Sequence, residues 1–341
     1  MRFRAPTTTS ARLRMNQSGL TLIELTVSLA IGAFLLLGAM TVFVQGRSTF
    51  RVSESTARLH ENAQFALDRL EADLRMAGYW GLTARSNSVA GRAGPSDPAA
   101  FAVGNDCATN WSVHLDRPVD GNNNGLPAMT CTGRYSRAAE PFADMLVVRR
   151  AAGEPDPAPD RGTLYVQSAR FQQSRLFVGP VVPGGYAAGT SQAHRLIVNG
   201  YYVSRESTVS EPDNPVPSLR VKTLTGGSRG PRVVDQEVLP GVEDMQVRLG
   251  VDTDSPGAPN RGLVDRYVDF GSPLLDPALS PDTAVIAVRL WLRVRAERPE
   301  AGFVDRADYD YADRRVPAVG DRFRRVVVSR TIYLRNSGPA S

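Results

Sequence analysis

The sequence has few of the residues on which enzyme active sites depend. Its three histidines, His60, His114 and His194, are isolated from one another and show no metal-ligand spacing. It contains no G-x-S-x-G nucleophile elbow and no glycine-rich phosphate loop. No constellation in the sequence indicates catalysis, and we predict that the protein is not an enzyme.

Lysine is almost missing, since Lys222 is the only one among 40 basic residues. The basic charge is also local: four arginines and no acid lie in residues 1–19, and they account for most of the net charge of +5. The remainder of the chain is therefore nearly neutral. Its charge gives no argument for nucleic-acid binding, and we predict no direct nucleic-acid partner.

Cysteine occurs only twice, at Cys107 and Cys131. If this part of the chain is exported, a disulfide between them is the default expectation, and the length of the intervening loop suits one. In the cytoplasm the same pair is expected as two free thiols. The compartment has to be inferred from the rest of the sequence.

The long apolar stretch without a charge runs from residue 25 to residue 44 and is 20 residues long. This matches the roughly 20 residues that a helix needs to cross a bilayer core. The run is too long for a cleaved secretory signal peptide, and no small-residue cleavage site follows it. Because arginines precede the run, we expect a single span with the N-terminus in the cytoplasm and the body outside.

Glu24 lies at the start of the apolar stretch, which begins at Leu20. A charged side chain costs about 2.5–3.5 kcal/mol at the centre of a membrane helix and less near its end. A simple signal anchor tolerates such a carboxylate, because it can reach the headgroups. The sequence "GLTLIEL" at 19–25, however, resembles the class III signal of type IV pilins and type II secretion pseudopilins.

That resemblance implies cleavage after Gly19 by a prepilin peptidase, which also methylates the new N-terminal residue. The new terminus is then Leu20, where the family usually has phenylalanine, and Glu24 is the fifth mature residue. The resemblance further implies that Glu24 of one subunit pairs with the free amine of its neighbour. Met15 is an alternative start, although a chain beginning there loses the leader arginines.

A helical pattern continues beyond the apolar run. Apolar and small residues recur by threes and fours from Val52 to Ala77, which predicts one buried stripe of an amphipathic helix. Glu71 and Arg75 are spaced to form an i,i+4 ion pair, and Gly78 is suited to a C-terminal cap. Since no proline lies in 20–77, we expect one continuous helix, docked on a sheet; the alternative is a coiled-coil stalk.

The end of this helix carries a more specific resemblance. The stretch "ENAQFALDRLEADLRMAGYWG", residues 61–81, is similar to the PilW group of minor pilins. The similarity continues in "GVEDMQVRLGVDTD", "AVRLWLRVR" and the closing "TIYLRN". Members of the group often have cysteine where this chain has Leu82, so cysteine pairing here is expected to differ from theirs.

After residue 81 the sequence alternates short strand patterns with long loops rich in glycine, proline and alanine at 83–106, 151–162 and 251–262. Strands are predicted at 144–150, 163–169, 175–179, 194–204, 218–224, 245–251, 284–296 and 324–336. We predict an α+β fold in which the long helix packs on an antiparallel sheet. The predicted divisions are a leader at 1–19, a transmembrane and assembly helix at 20–45, an amphipathic continuation at 46–81 and a β-rich globular domain at 82–341.

Two loops contain candidate calcium ligands. "DGNNNG" offers Asp120, Asn122 and Asn124, but its twelfth position is Cys131 instead of the glutamate of an EF-hand, so an Asn/Gly turn is the competing interpretation. "DTDSPG" at 252–257 is a weaker match. The acidic segment at 305–315 is predicted to be a solvated loop, with a partner-binding edge as the alternative. No other cofactor is expected.

The resemblance implies a minor pilin that initiates and caps type IV pilus assembly in support of motility or adhesion. Its expected partners are other minor pilins, the major pilin, the prepilin peptidase and N-methyltransferase, and the assembly platform of the bacterial inner membrane. The body is expected in the periplasm and, after assembly, at the base or tip of a pilus. The alternatives are a J-type pseudopilin of type II secretion, an anchored tip adhesin and a non-assembling anchored domain.

Overall fold

The structure is a computed structural model of the 341-residue chain. It describes Gly19 and residues 21–336, apart from positions 84, 95, 99, 128, 130 and 132 and the side chain of residue 48. Leu20 and nearly all of the predicted leader therefore lie outside the described residues.

The described chain forms one long helix followed by a β-rich body. The helices are α1 (Leu22–Arg75) and α2 (Arg134–Arg137), with 3-10 turns at Ser86–Ser88 and Pro273–Leu275. The strands are β1 (Val89–Ala90), β2 (Val119–Asn122), β3 (Met145–Ala151), β4 (Leu164–Ala169), β5 (Ser174–Val178), β6 (Ser191–Ser204), β7 (Ser218–Thr225), β8 (Arg232–Pro240), β9 (Val242–Asp252), β10 (Arg266–Val268), β11 (Ala284–Arg295), β12 (Tyr309–Tyr311), β13 (Arg314–Val316) and β14 (Arg325–Tyr333). The α+β prediction is confirmed.

Internal contacts divide the chain into two units, Met1–Ser55 and Thr56–Ser341. In the first unit, the described part of α1 exposes its apolar side chains, among them Leu22, Phe34 and Leu36. An 18-residue window of this helix has a mean hydropathy of 2.4 and none of it is buried, so it is long and apolar enough to cross a membrane. The predicted divisions at 19, 45 and 81 stay predictions.

In the second unit, α1 carries the predicted stripe. Leu59, Ala63, Ala66, Leu70 and Leu74 are all at most 4% exposed. The pattern therefore identified the buried face correctly, because side chains three and four apart share one side of a helix. The i,i+4 pair between Glu71 and Arg75 is also present, at 3.2 Å. The helix ends at Arg75, and Gly78, three residues later, has a φ of +75°.

Two sheets form the framework of the body. The larger has eight strands in the order β1-β5-β4-β6-β3-β2, with β7 pairing with β6 and β8. The smaller has the order β10-β9-β11-β14, and β12 and β13 form a separate hairpin. All pairs are antiparallel except β1 with β5. The fourteen-residue β6 organises the larger sheet, because successive parts of it pair with β4, β3 and β7.

The larger sheet has a hydrophobic core on each face. On one face, the stripe of α1 packs with Leu146, Val148 and Tyr201 of this sheet and with Leu290 and Leu292 of the smaller sheet. On the other face, the loop-rich segment 79–133 covers the sheet with side chains that include Trp80, Trp111, Leu115 and Met129. The disulfide joins Cys107 to Cys131 within this segment, with their Cα atoms 5.3 Å apart.

The eight predicted strands are present, but the acidic segment was predicted wrongly, and strands β1, β2, β8 and β10 had no predicted counterpart. The acidic segment at 305–315 is not a solvated loop, since it contains the β12–β13 hairpin, and Asp305 and Tyr311 are buried. Asp305 pairs with Arg325 at 2.9 Å, and the Tyr311 hydroxyl donates to Asp244 at 2.6 Å. Strand β8 had no predicted counterpart, because its acids Asp235 and Glu237 interrupt the apolar pattern.

The "AGYWG" sequence turns the chain from the helix into the larger sheet. The Gly78 N–H donates to the Arg149 carbonyl, and the Ala151 N–H donates to the Tyr79 carbonyl. Gly81 then adopts a φ of +80°, and a Cβ there would lie 2.5 Å from Ser168 Oγ and 2.8 Å from a ring carbon of His194. The last glycine of the motif is therefore required both by its backbone conformation and by its close approach to the sheet.

We predict that Gly81→Ala lowers the free energy of unfolding by about 2 kcal/mol, because alanine at a positive φ is strained and its methyl group collides with β4 and β6. Chemical denaturation of the purified full chain measures this. Gly184→Ala is the control, since a Cβ at Gly184 meets nothing within 4 Å. Equal stability of the two variants would contradict the role assigned to Gly81.

Candidate functional site

The first turn of α1 contains the predicted assembly residue Glu24. Thr21 lies just before the helix, and its N–H and hydroxyl each donate to Glu24 Oε2 at 3.0 Å. The Glu24 N–H donates back to Thr21 Oγ1 at 3.3 Å. These contacts form a capping box, in which the first and fourth residues satisfy the free N–H groups at a helix start. The pattern T-x-x-E at residues 21–24 predicts this capping box, although the family resemblance alone did not indicate it.

Of the predicted processing residues, Gly19 is described and exposed, whereas Leu20 lies outside the described residues. The structure therefore does not test cleavage after Gly19, methylation of Leu20 or the pairing of Glu24 with a neighbour's amine. Both hydrogen bonds from Thr21 go to Glu24 Oε2. The other carboxylate oxygen, Oε1, has no hydrogen bond within the described chain.

Asp73 is the polar centre of the interface between α1 and the larger sheet. It is 1% exposed and lies on the same side of the helix as the apolar stripe. Its Oδ1 accepts two hydrogen bonds from Arg150, at 2.9 and 3.2 Å, and its Oδ2 accepts from Asn199 and from the Tyr201 hydroxyl. Burial and the Asp73 charge raise the pKa of Tyr201. The sequence analysis missed this residue, because the partners of Asp73 lie on β3 and β6.

The calcium candidate at "DGNNNG" lies where β2 ends. Asp120 is in β2, and its carboxylate is approached by Arg149 at 3.4 Å and Arg117 at 3.8 Å. The side-chain amide of Asn122 donates to the carbonyls of the next two residues, and Asn124 has a φ of +66°. Two guanidinium groups therefore already face the first proposed ligand. Calcium binding by Asp120, Asn122 and Asn124 stays a prediction.

The two aspartates of the weaker "DTDSPG" match lie close to a third carboxylate, that of Asp265. One oxygen each from Asp252, Asp254 and Asp265 lies within 4.8 Å of the others. The chain already supplies donors to the cluster: Asp252 accepts from the Gly262 N–H at 2.6 Å and faces Arg261 at 3.6 Å. Asp265 accepts from the N–H and the hydroxyl of Thr253, which lower its pKa.

Asp144 connects three segments of the body. It is 3% exposed, and its two oxygens accept from the backbone N–H groups of Asn124, at 2.9 Å, and Val247, at 2.8 Å. Burial raises its pKa to about 7, against the effect of these two hydrogen bonds, and the charges of Asp313 and Asp244 act in the same direction as burial. The carboxyl therefore changes its protonation state near neutral pH.

The histidines do not meet one another. His194 is 1% exposed in β6, where its Nδ1 contacts the Ala152 carbonyl at 2.9 Å and its ring meets Tyr79 edge to face. Burial and the charge of Arg149 lower the pKa of His114. Among the described residues, neither ring contacts a second histidine.

Two family models match the sequence. The model described as "Prokaryotic N-terminal methylation motif" matches residues 14–40, which contain the predicted cleavage site, the capping box and most of the apolar run. The model described as "Type IV Pilus-assembly protein W", PilW, matches residues 200–336, from β6 to just after β14. Comparison with curated proteins gave no match, and neither did comparison with solved structures.

These matches and the fold support one class, the type IV pilus-related minor pilins. Within this class they are consistent with a minor pilin of the PilW type. The pilin resemblance inferred from "TLIEL" and the PilW resemblance inferred from the later strands are thus confirmed. Residues 61–81 lie outside both matched ranges, so the resemblance inferred from them stays a prediction. The families matched are pilus structural and assembly proteins.

We predict that Asp73→Ala lowers the free energy of unfolding by about 3 kcal/mol, because it leaves the partly buried cation Arg150 and the buried polar groups of Asn199 and Tyr201 without their shared partner. Asp68→Ala is the control on the same helix. Asp68 is exposed and pairs with Arg330, so its loss should cost less than about 1 kcal/mol. Urea denaturation of both variants measures the difference, and a cost at Asp73 as small as that at Asp68 would refute the prediction.

We also predict a pH dependence that originates at Asp144. Its folded-state pKa of about 7 lies above the usual value, so the folded protein binds this proton more tightly than the unfolded chain. The resulting stabilisation is complete below pH ~4 and is lost as the pH rises towards 7, by at most about 1.4 kcal/mol per pH unit.

Denaturation of the wild type and of Asp144→Asn at several pH values from 4 to 8 measures this loss. The slope attributed to Asp144 should be missing from the variant, even if the variant is less stable throughout. Asp213→Asn, at an exposed position, should keep the wild-type slope. A wild-type slope in Asp144→Asn would show that another group is responsible.

Proposed function

We propose that this minor pilin takes part in starting and capping a type IV pilus. The observation that carries the proposal is the combination at the N-terminus: Glu24 at the first turn of an exposed apolar helix, inside the matched methylation motif. In this proposal the peptidase cuts after Gly19, and the methylated amine of Leu20 becomes available to a neighbouring subunit. The protein is then anchored in the inner membrane with its body in the periplasm.

The physical reason lies in the cost of an unpaired charge among packed apolar helices. When subunits associate side by side, water is excluded around Glu24, and an ammonium group from the neighbour compensates its charge. The pair fixes the axial offset between subunits, because only one offset brings the amine to the carboxylate. The capping box with Thr21 occupies Oε2 and leaves Oε1 accessible to that amine.

The proposed partners are other minor pilins, the major pilin and the assembly platform. A complex of minor pilins lowers the barrier to starting a filament, since forming the first layers of a helical polymer is harder than extending it. The large body of this chain favours a position at the end of the filament over a position in its repeating shaft. Motility and adhesion are the proposed outputs of the assembled pilus.

The proposal predicts that the mature protein, isolated from its own cells, begins with N-methyl-leucine at position 20, which mass spectrometry of the N-terminal peptide detects. Glu24→Gln should be cleaved normally but should reduce the number of pili per cell about tenfold or more, because the amine loses its counter-charge. Glu61→Gln, an exposed acid farther along α1, is the control and should leave piliation unchanged. An intact leader in the native protein, or normal piliation with Glu24→Gln, would refute the proposal.

A further inference from the structure

The segment around Cys107 has an unusual backbone. Asn105, Cys107, Ala108 and Asn110 all have positive φ values, between 55° and 63°. A residue with a Cβ is disfavoured in this left-handed region, although asparagine tolerates it better than most. Cys107 and Ala108 are consecutive, and neither is an asparagine or a glycine. The segment therefore depends on contacts with the rest of the body to keep this conformation.

One such contact is with the outer edge of β8. The Gly104 N–H donates to the Pro231 carbonyl at 2.9 Å, and the Gly104 carbonyl accepts from the Val233 N–H at 2.8 Å. The side-chain amide of Asn105 donates to the Val233 carbonyl at 3.4 Å. Gly104 thus forms a short parallel bridge with Arg232 on the side of β8 that faces away from β7. The bridge covers backbone groups at the beginning of an edge strand.

The disulfide is the contact in the middle of the segment. It fixes the Cα atom of Cys107 at 5.3 Å from that of Cys131. Cys131 is exposed and Cys107 is half-buried, so a small reductant can approach the bond from the Cys131 side. At the far end of the segment, the side-chain amide of Asn110 donates to the carbonyls of Gly94 and Asp97. Between these two ends, the disulfide is a covalent constraint on the backbone.

The chain between the two cysteines is held by other means. Arg149 Nε donates to the carbonyl of Trp111 at 2.6 Å, and Trp111 is 5% exposed in the core on this face of the larger sheet. Farther along, β2 pairs with β3, and the Gly125 N–H donates to the Ala143 carbonyl at 2.8 Å. None of these contacts involves the disulfide. Its loss therefore acts on residues 104–109 and leaves the rest of the cover in place.

We propose that the Cys107–Cys131 disulfide is a redox-sensitive clasp, whose reduction releases residues 104–109 from the edge of β8 while both sheets and both cores stay folded. Without the covalent bond, Cys107 and Ala108 return to the more favourable negative φ region. The changed chain direction carries Gly104 away from Val233. The oxidised protein thus covers the beginning of β8, and the reduced protein exposes it.

The reductant in this step is a dithiol. One of its thiolates attacks Cys131 Sγ, which breaks the S–S bond, forms a mixed disulfide and releases Cys107 as a thiolate. The second thiol of the reductant then attacks the mixed disulfide and releases Cys131. The two protons of the dithiol end on the two cysteines, and its two electrons reduce the bond. The dithiol itself becomes an internal disulfide.

Hydrogen exchange of the purified full-length chain, before and after treatment with dithiothreitol, tests the clasp. Alkylation followed by mass measurement verifies that both thiols are free. Reduction should speed exchange of the Gly104 and Val233 amides at least about tenfold, because each amide loses its carbonyl partner. The Ala151 amide, which donates to the Tyr79 carbonyl, should keep its rate.

Two results would overturn the proposal. One is unchanged exchange at Gly104 and Val233 in the fully reduced protein, which would show that the segment stays on β8 without the disulfide. The other is an equal increase at Ala151, which would show that reduction loosens the whole body and not this segment alone.

Ala108→Gly tests the role of the left-handed backbone. Glycine adopts a positive φ without strain, so the reduced variant should keep its segment on β8 more often. The effect of reduction on the Gly104 and Val233 amides should then be at least about threefold smaller than in the wild type. Ala187→Gly is the matched control, since Ala187 is exposed in the loop before β6 and has no positive φ.

The control should show the wild-type effect of reduction. An effect in Ala108→Gly as large as in the wild type would refute relaxation of the left-handed backbone as the cause of release. Neither measurement depends on the proposed function, because both concern the isolated chain.

Discussion

The carboxylate of Asp73 is the interaction on which the body depends. Apolar side chains along α1 favour contact with the sheets but tolerate small shifts and rotations, because hydrophobic attraction has no preferred direction. A buried carboxylate tolerates far less, since it has to meet Arg150, Asn199 and Tyr201 together. Asp73 therefore sets the register between the helix and the larger sheet, and the apolar stripe supplies most of the attraction.

The same logic recurs in the rest of the body. Asp144 joins the loop after β2 to β9, Asp244 holds the β12–β13 hairpin through Tyr311, and Arg325 gathers Glu243, Asp305 and Asp321. Each is a buried ionisable group with at least one partner from a segment distant in the sequence. Such groups add little net stability compared with an apolar core, but they penalise alternative packings strongly. These buried groups therefore help to fix how the segments of the body pack, although long loops connect those segments.

The sequence predicted the parts of the fold that rest on local periodicity. The stripe of α1 and the alternation of Val288, Leu290, Leu292 and Val294 were visible, because each residue's neighbours lie a few positions away. Strand β8 and the hairpin at 309–316 were not, since their charged residues have partners on other strands: Asp235 and Glu237 pair with Arg220 of β7, and Arg314 pairs with Asp244 of β9. Asp73 and Asp144 were missed for the same reason, since their partners lie far away in the sequence. Glu24 was found through a family motif, and its capping partner Thr21 could have been identified from the sequence, because it lies three residues before Glu24.

The scarcity of lysine has a practical consequence. Lys222, the only one in the chain, lies in β7 and is 1% exposed, and burial lowers its pKa. Reagents that acylate amines therefore find the lysine side chain of the folded body buried, and the α-amine at the start of the chain is the other amine on which they can act. Labelling with such a reagent under native conditions reports directly on the amino terminus, and it tags the protein at a single point without disturbing the body.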